Sequence, residues 1–394
     1  MSNYRITEQL LSLQEIEQAE LRFKAMTGQL PFSLSGWNPS EFYRNICMPA
    51  TLSFPKCAEL INYIYYYDLS EDMVKSLCEK MFHNEFLNIA ITNSGTSSIS
   101  LVTSVLSAIG LNRIVAVNPT YFSLFYNCTQ KQLICTELNM FRTEAGYRLP
   151  RESILNYLNN NDVLWLTNPV YNTSVYLQDQ DILFLQEQVL PNKYIVADEC
   201  FCKNGLELGR KFGQNRHFIG IYSPMKSLLL NGAKFSVILI PPDLSSCFCR
   251  WADVVCGGLT ASTLQAVSYF MSPEAIILKK RLDDMHAETL KKVSRILSQH
   301  NDFLLDSASD GHIITCYFPK MNAHFLHSAD DYFRFQTQTG SSIIPGVYFR
   351  FSAQSGFMFR INLARYEPCL FEDALNRTLS WLEYASIMEK FPNI

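Results

Sequence analysis

From about residue 86 to 240 the chain alternates short apolar runs of strand length with stretches of helical periodicity. No other feature limits its possible folds as much. Strands are expected at Leu87–Ile91, Ile114–Val117, Val163–Thr167, Tyr194–Ala197 and Phe235–Ile240. Helices are expected at Ser97–Ile109, Tyr121–Gln130, Arg151–Asn159 and Asp179–Gln188. Such alternation predicts an α/β fold with a mostly parallel sheet flanked by helices on both faces. Ligands in such folds bind beyond the carboxyl ends of the strands. Outside this region, residues 7–27 have helical spacing that ends at Gly28 and Pro31, and a loop follows over 33–39. A long charged helix is expected over Glu274–Asn301, then smaller elements and a last helix, Phe371–Met388. The expected division is an arm and part of a small domain at 1–45, a large domain at 46–284, and the rest of the small α+β domain at 285–394. Both termini thus build the smaller domain. There is no internal repeat.

The chain has 394 residues, 48% hydrophobic and 18% charged, enough for a large core and more than one lobe. A net charge of -4 with no basic block gives a nucleic-acid partner no electrostatic support. No apolar run reaches membrane-spanning length, and Met1-Ser2-Asn3-Tyr4-Arg5 does not start a secretory signal. The twelve scattered cysteines read as reduced thiols, so a cytoplasmic protein is expected. The pairs Cys200/Cys202 and Cys247/Cys249 lack the two-residue spacer and accompanying histidines of a zinc site, and no metal is expected.

The chemistry-bearing motifs sit at predicted strand ends. Ser223-Pro224-Met225-Lys226 is followed by Asn231-Gly232-Ala233-Lys234, a pattern suited to holding a phosphate while one amine stays free. Asp198 closes the strand Tyr194–Ala197, where a buried carboxylate needs a partner. A pyridinium N–H is such a partner, and together these residues point to pyridoxal 5'-phosphate carried on a lysine as a Schiff base. Asn93-Ser94-Gly95-Thr96 opens a helix and suits an anion cradle, though the same letters also make a plain helix cap. Tyr121 follows Asn118-Pro119-Thr120, where an aromatic either stacks on a flat cofactor or fills the core. Asn168-Pro169-Val170-Tyr171-Asn172 offers two amides at a strand end or forms an ordinary turn. Arg360 stands in the apolar run Phe359–Ala364, either gripping a carboxylate or closing a structural ion pair.

The order and spacing of these motifs resemble the fold type I pyridoxal-phosphate enzymes, specifically the class I/II aminotransferases, from about Leu34 to the last helix. Leu34-Ser35-Gly36, Tyr66-Tyr67-Asp68 and Ile344-Pro345-Gly346-Val347-Tyr348-Phe349 extend the resemblance. It implies that Lys226 bears the cofactor, Asp198 keeps the pyridine protonated and Tyr121 stacks on the ring. It implies a phosphate site of Ser94, Gly95, Thr96, Ser223 and Lys234, joined by Tyr66 of a neighbouring subunit, with Tyr67 as the alternative. Arg360, near Gly36 and Trp37, takes the substrate α-carboxylate, and Asn172, ahead of Asn168, contacts the cofactor's phenolic oxygen. A homodimer with shared active sites follows from the same resemblance, with residues 257–271 as a candidate interface.

Three departures stand out. Phe201 occupies the place of a usual tyrosine and removes one hydrogen bond to the phenolic oxygen. Lys234 replaces a usual arginine, keeping charge without the fork. Asn172-Thr173-Ser174 lacks the proline and glycine of the usual turn. The implied reaction is transamination between an amino acid and a 2-oxo acid. The alternatives are elimination, cyclisation or racemisation on the same cofactor, and, more remotely, a non-catalytic cofactor-binding protein.

Overall fold

The computed structural model describes residues 4–47, 69–85, 87–144, 146–159, 162–203, 207–300, 302–306 and 311–390. Tyr66, Tyr67 and Asp68 lie outside the described residues. Seven strands form the central sheet: β1 (Asn88–Thr92), β2 (Arg113–Asn118), β3 (Ile134–Asn139), β4 (Asp162–Thr167), β5 (Tyr194–Asp198), β6 (Phe218–Tyr222) and β7 (Ser236–Ile240). Their spatial order is β1-β7-β6-β5-β4-β2-β3. All pairings are parallel except those of β7, which runs antiparallel to β1 and β6.

Strand residues alternate between two cores, as the two-residue period requires. Ile89, Ile91, Val115, Val117, Leu164 and Leu166 pack on one face. Ala90, Ile114, Ala116, Val163 and Trp165 pack on the other. The sequence reading misses β3 and β6. Ile134-Cys135-Thr136-Glu137-Leu138-Asn139 is a half-polar edge strand, and Gly220 interrupts the apolar run of β6. The helix expected over Asp179–Gln188 is α-helical to Phe184 and continues as a π-helical turn, Leu185–Val189.

The helices that matter for the site are α1 (Tyr4–Thr27), α2 (Gly95–Ala108), α3 (Pro273–Leu297), α4 (Ala329–Thr339) and α5 (Leu370–Lys390). α3 starts with Ser272 as N-cap and Pro273 at its first position, where a missing N–H costs nothing. A capping box between Ser328 and Asp331 opens α4, and Gly340 at φ 66° closes it. The chain's two ends pack together. Phe32 and Ser33 pair with Ser341 and Ser342, and α1 packs on α4. A small antiparallel sheet is formed by β8 (Leu304–Leu305), β9 (Ile313–Phe318) and β10 (Phe357–Asn362).

Candidate active site

The carboxyl ends of β1, β5 and β6 converge on one cavity of about 380 Å³. β1 runs into α2, whose N-cap Ser94 accepts a hydrogen bond from Ser97 N at 3.2 Å. The N–H groups of the first helical turn have no intrahelical partner and make an electropositive end. Gly95 keeps this corner open: a Cβ would sit 2.8 Å from Ser223 Oγ and 3.1 Å from Cys200 Sγ, and those side chains would have to shift. β6 leads through Ser223 into a single 3₁₀ turn, Pro224–Lys226, which presents the lysine. Because β7 is antiparallel, its start lies at the same edge, so Lys234 and Phe235 also line the cavity.

Charge is distributed unevenly around this space. Asp198, 8% exposed, accepts a hydrogen bond from Cys200 N at 3.1 Å and makes no ion pair among the described residues. A buried carboxylate without a cationic partner is costly, so this position suits a protonated ring nitrogen. The Lys226 Nζ lies 4.0 Å from the centroid of the Phe201 ring. Phe201 in turn stacks on Trp37, with centroids 5.7 Å apart and planes 25° from parallel. The Arg360 guanidinium lies 4.2 Å from Trp37 and 4.9 Å from Phe349. Two cations therefore flank the Trp37–Phe201 aromatic pair.

Arg360 extends from β10 and is 1% exposed. It donates to the Ser35 carbonyl and, at 3.3 Å, to Asn172 Oδ1, while its Nε has no partner. Burial lowers its pKa to about 10, so it remains charged at neutral pH. Asn172 has φ 63°, a left-handed conformation that asparagine tolerates, and its buried Nδ2 is unpartnered. Burial raises the pKa values of Tyr121 and Tyr171, and likewise that of the Cys200 thiol, which stays protonated.

The cavity brings together Trp37, Ser94, Gly95, Thr96, Tyr121, Asp198, Phe201, Ser223, Lys226 and Lys234 from the sequence reading. Gly36, Asn172 and Arg360 stand behind its wall: the Gly36 carbonyl accepts from Asn362 Nδ2 at 2.7 Å. Asn168 is engaged elsewhere. Its Nδ2 donates to Glu199 and its Oδ1 accepts from Leu177 N. Tyr171, Cys200 and Asn231 line the cavity without having been singled out. Tyr171 sits between the two asparagines of a motif already noted, so its place in that strand end was the available signal.

No family model and no curated protein sequence matches the chain. Solved structures do match it, over most of its length. YbdL from Escherichia coli, reported with a methionine aminotransferase function, aligns at a TM-score of 0.71 and 11% identity, over 93% of this chain and 96% of that one. A Thermus thermophilus aspartate aminotransferase double mutant aligns at 0.74 and 12%, over 94% and 96%. N-succinyldiaminopimelate aminotransferase from Mycobacterium tuberculosis aligns at 0.73 and 14%, over 93% and 96%. At these identities the likeness is one of fold: the chain has the α/β architecture that these aminotransferases share.

Proposed function

We propose that the protein is a pyridoxal 5'-phosphate-dependent aminotransferase acting on an amino acid and a 2-oxo acid. One observation carries this reading: Lys226, the unpaired Asp198 and the Gly95–Ser223 cradle meet in a single cavity. The shared fold supports it.

The residues present fit the cofactor. Lys226 is its covalent anchor. The N–H groups of Gly95 and Thr96, at the start of the helix whose N-cap Ser94 accepts from Ser97 N, would hold its phosphate together with the hydroxyls of Thr96 and Ser223 and the charge of Lys234. Asp198 would keep a proton on the ring nitrogen, and the Asn172 Nδ2, unpartnered among the described residues and just behind the cavity wall, would be the donor for the phenolic oxygen. When bound, the cofactor supplies a conjugated, electron-poor ring that draws electrons from the substrate Cα.

The rest is done by this chain. Arg360 binds the substrate α-carboxylate through its fork. Trp37 covers that guanidinium, so binding of a carboxylate there would require the indole to move. Lys226 Nζ removes the proton from Cα and later returns one, acting as base and then acid. The aromatic wall of Trp37, Tyr121, Tyr171 and Phe201 limits water and favours an apolar substrate side chain.

We also propose a homodimer in which Tyr66 serves the partner's site, with domain boundaries after residues 45 and 284. A cytoplasmic location fits the free cysteines, and no helix among the described residues is long and apolar enough to cross a membrane.

The test is covalent trapping. Wild-type protein with pyridoxal phosphate and borohydride should carry the reduced cofactor on the Lys226 peptide, and K226A should carry none there. Loaded wild type mixed with amino acids should yield 2-oxo acid and pyridoxamine phosphate. Trapping at another lysine, or turnover without pyridoxamine phosphate, overturns the reading.

A further inference from the structure

Among the described residues, a second cavity shares Phe201 and Lys226 with the first. Its volume is about 10 Å³, close to the minimum that holds one water. His286, His312, Asp283, Lys203 and Ser227 complete its walls, with Gly311. Two buried-side imidazoles next to the proposed catalytic lysine have no part in the chemistry described so far.

Their placement is heavily determined. His286 projects from α3, is 5% exposed, and its Nε2 has no partner among the described residues. It stacks on Tyr43 at 5.3 Å and on His312 at 5.4 Å, and Tyr43 is held by a 3.1 Å hydrogen bond to Thr289. His312 immediately precedes β9, and its carbonyl accepts from Leu363 N at 2.7 Å. The preceding residue must be glycine, because a Cβ on Gly311 would lie 2.4 Å from Ser174 Oγ. Ser174 Oγ donates to the Ile313 carbonyl, and Thr315 donates to the Asn172 carbonyl. The turn that carries Asn172 therefore also fixes His312.

The charges around the pair are mostly positive. Burial, with Lys226 and Arg360, lowers His312 to about 4. Burial, His312, Lys203 and Lys279 lower His286 well below its ordinary value. Asp283 lies 2.8 Å from Lys279 and 3.8 Å from Lys203, and among the described residues is the acidic group on the cavity wall, with 29% of its side chain exposed. Both imidazoles are thus neutral near pH 7, each with one donor and one acceptor nitrogen. Ammonium groups on two sides make the cavity unsuitable for a metal cation.

We propose that this cavity holds one water joining the Lys226 amine to His312 and His286, and that a proton taken up by Lys226 leaves by this route past Asp283 to solvent. The Lys226 ammonium gives a proton to the water, the water passes one to an imidazole nitrogen, and the opposite nitrogen releases one outward. One proton passes from Lys226 to bulk solvent; Lys226 and the water return to their starting states, and the imidazole is left as its other tautomer until its ring turns over before the next transfer. His312 and His286 are positioning residues in this scheme. The relay rests on the proposed role of Lys226 as the base.

Two measurements test it. In the protein without cofactor, imidazole ¹⁵N NMR follows His312, assigned by the loss of its signal in H312Q. K226M should raise the His312 pKa by removing a facing charge, and no movement overturns the proposal. In loaded protein, an amino acid deuterated at Cα is turned over and the product amino acid is examined by mass spectrometry. Wild type should lose most of the label to water. H312F and H286F, which fill the cavity, should retain several-fold more, and H312Q should fall between. Equal retention in all proteins overturns the relay. Absence of any turnover in wild type overturns the aminotransferase reading instead, and the NMR coupling then still decides whether the cavity links Lys226 to His312.

Discussion

Asn168 gives its amide to Glu199 and accepts from Leu177, while Asn172, four residues on, keeps a buried Nδ2 unpartnered. The same residue type thus has two separable roles. N168A leaves a buried carboxylate and a buried N–H short of partners, and should lower stability by about 1–3 kcal/mol. Thermal denaturation would show this, with pyridoxal phosphate affinity little changed. N172D keeps the left-handed backbone and an oxygen for Arg360 but removes the donor. It should weaken pyridoxal phosphate binding at least about tenfold, the worth of a hydrogen bond to a charged acceptor plus the repulsion of two anions, while the new ion pair with Arg360 keeps melting in the absence of cofactor no lower than in wild type. Spectrophotometric titration reads the difference, and a fall in stability without a fall in affinity would place Asn172 among the structural residues. Sequence spacing alone left both asparagines open, because what separates them is which partners are already taken.

At the scale of elements, Glu199 ties the sheet to the short helix Glu207–Phe212. Its carboxylate accepts from Leu208 N at 2.9 Å and Gly209 N at 3.1 Å, yet it is fully buried and burial pushes its pKa up to about 7. The unfolded chain ionises nearer 4.5. Between these values the native state binds the extra proton, so its stability is highest below 4.5 and declines as pH rises through 7, by about 3 kcal/mol in all. Urea denaturation at pH 5 and 7.5 should show this decline in wild type. E199Q should be less stable at both values, because its amide N–H₂ faces Gly209 N–H, but nearly flat between them. An equally steep decline in E199Q would assign the pH dependence to other groups. The elements themselves were unevenly legible. β1, β2, β4, β5 and β7 declare themselves by uninterrupted apolar runs, and the ends of β1 and β5 carry, in that order, the cradle of Gly95 and Asp198. β3 and β6 escape that criterion, one as a half-polar edge and the other broken by Gly220. The covering of Arg360 by Trp37 and the facing of His312 toward Lys226 escape it for another reason. They join segments far apart in the chain, and no local pattern encodes which distant ring will lie over a given cation.

At the scale of the whole molecule, the site is assembled from three stretches of chain. Trp37 comes from the N-terminal segment, Lys226 from the turn after β6 of the central sheet and Arg360 from β10 of the small antiparallel sheet. The dimer proposed above adds a fourth contribution, Tyr66 from a second subunit. This makes a stoichiometric prediction. K226A subunits lack the lysine but lend Tyr66, and Y66A subunits lack the tyrosine but keep Lys226. In a mixed dimer, one site lacks both groups and the other has both. Random reassociation of equal amounts makes about half the dimers mixed, so about a quarter of all sites should regain wild-type function. Each variant is unfolded and refolded alone or with the other, and the rate of amino transfer is compared with wild type at equal subunit concentration. Activity in the co-refolded sample well above the mean of the separate samples is the expected outcome. Activity equal to that mean, in a sample that sedimentation shows to be dimeric, would mean that each subunit completes its own site and that Tyr66 acts within its own chain or not at all.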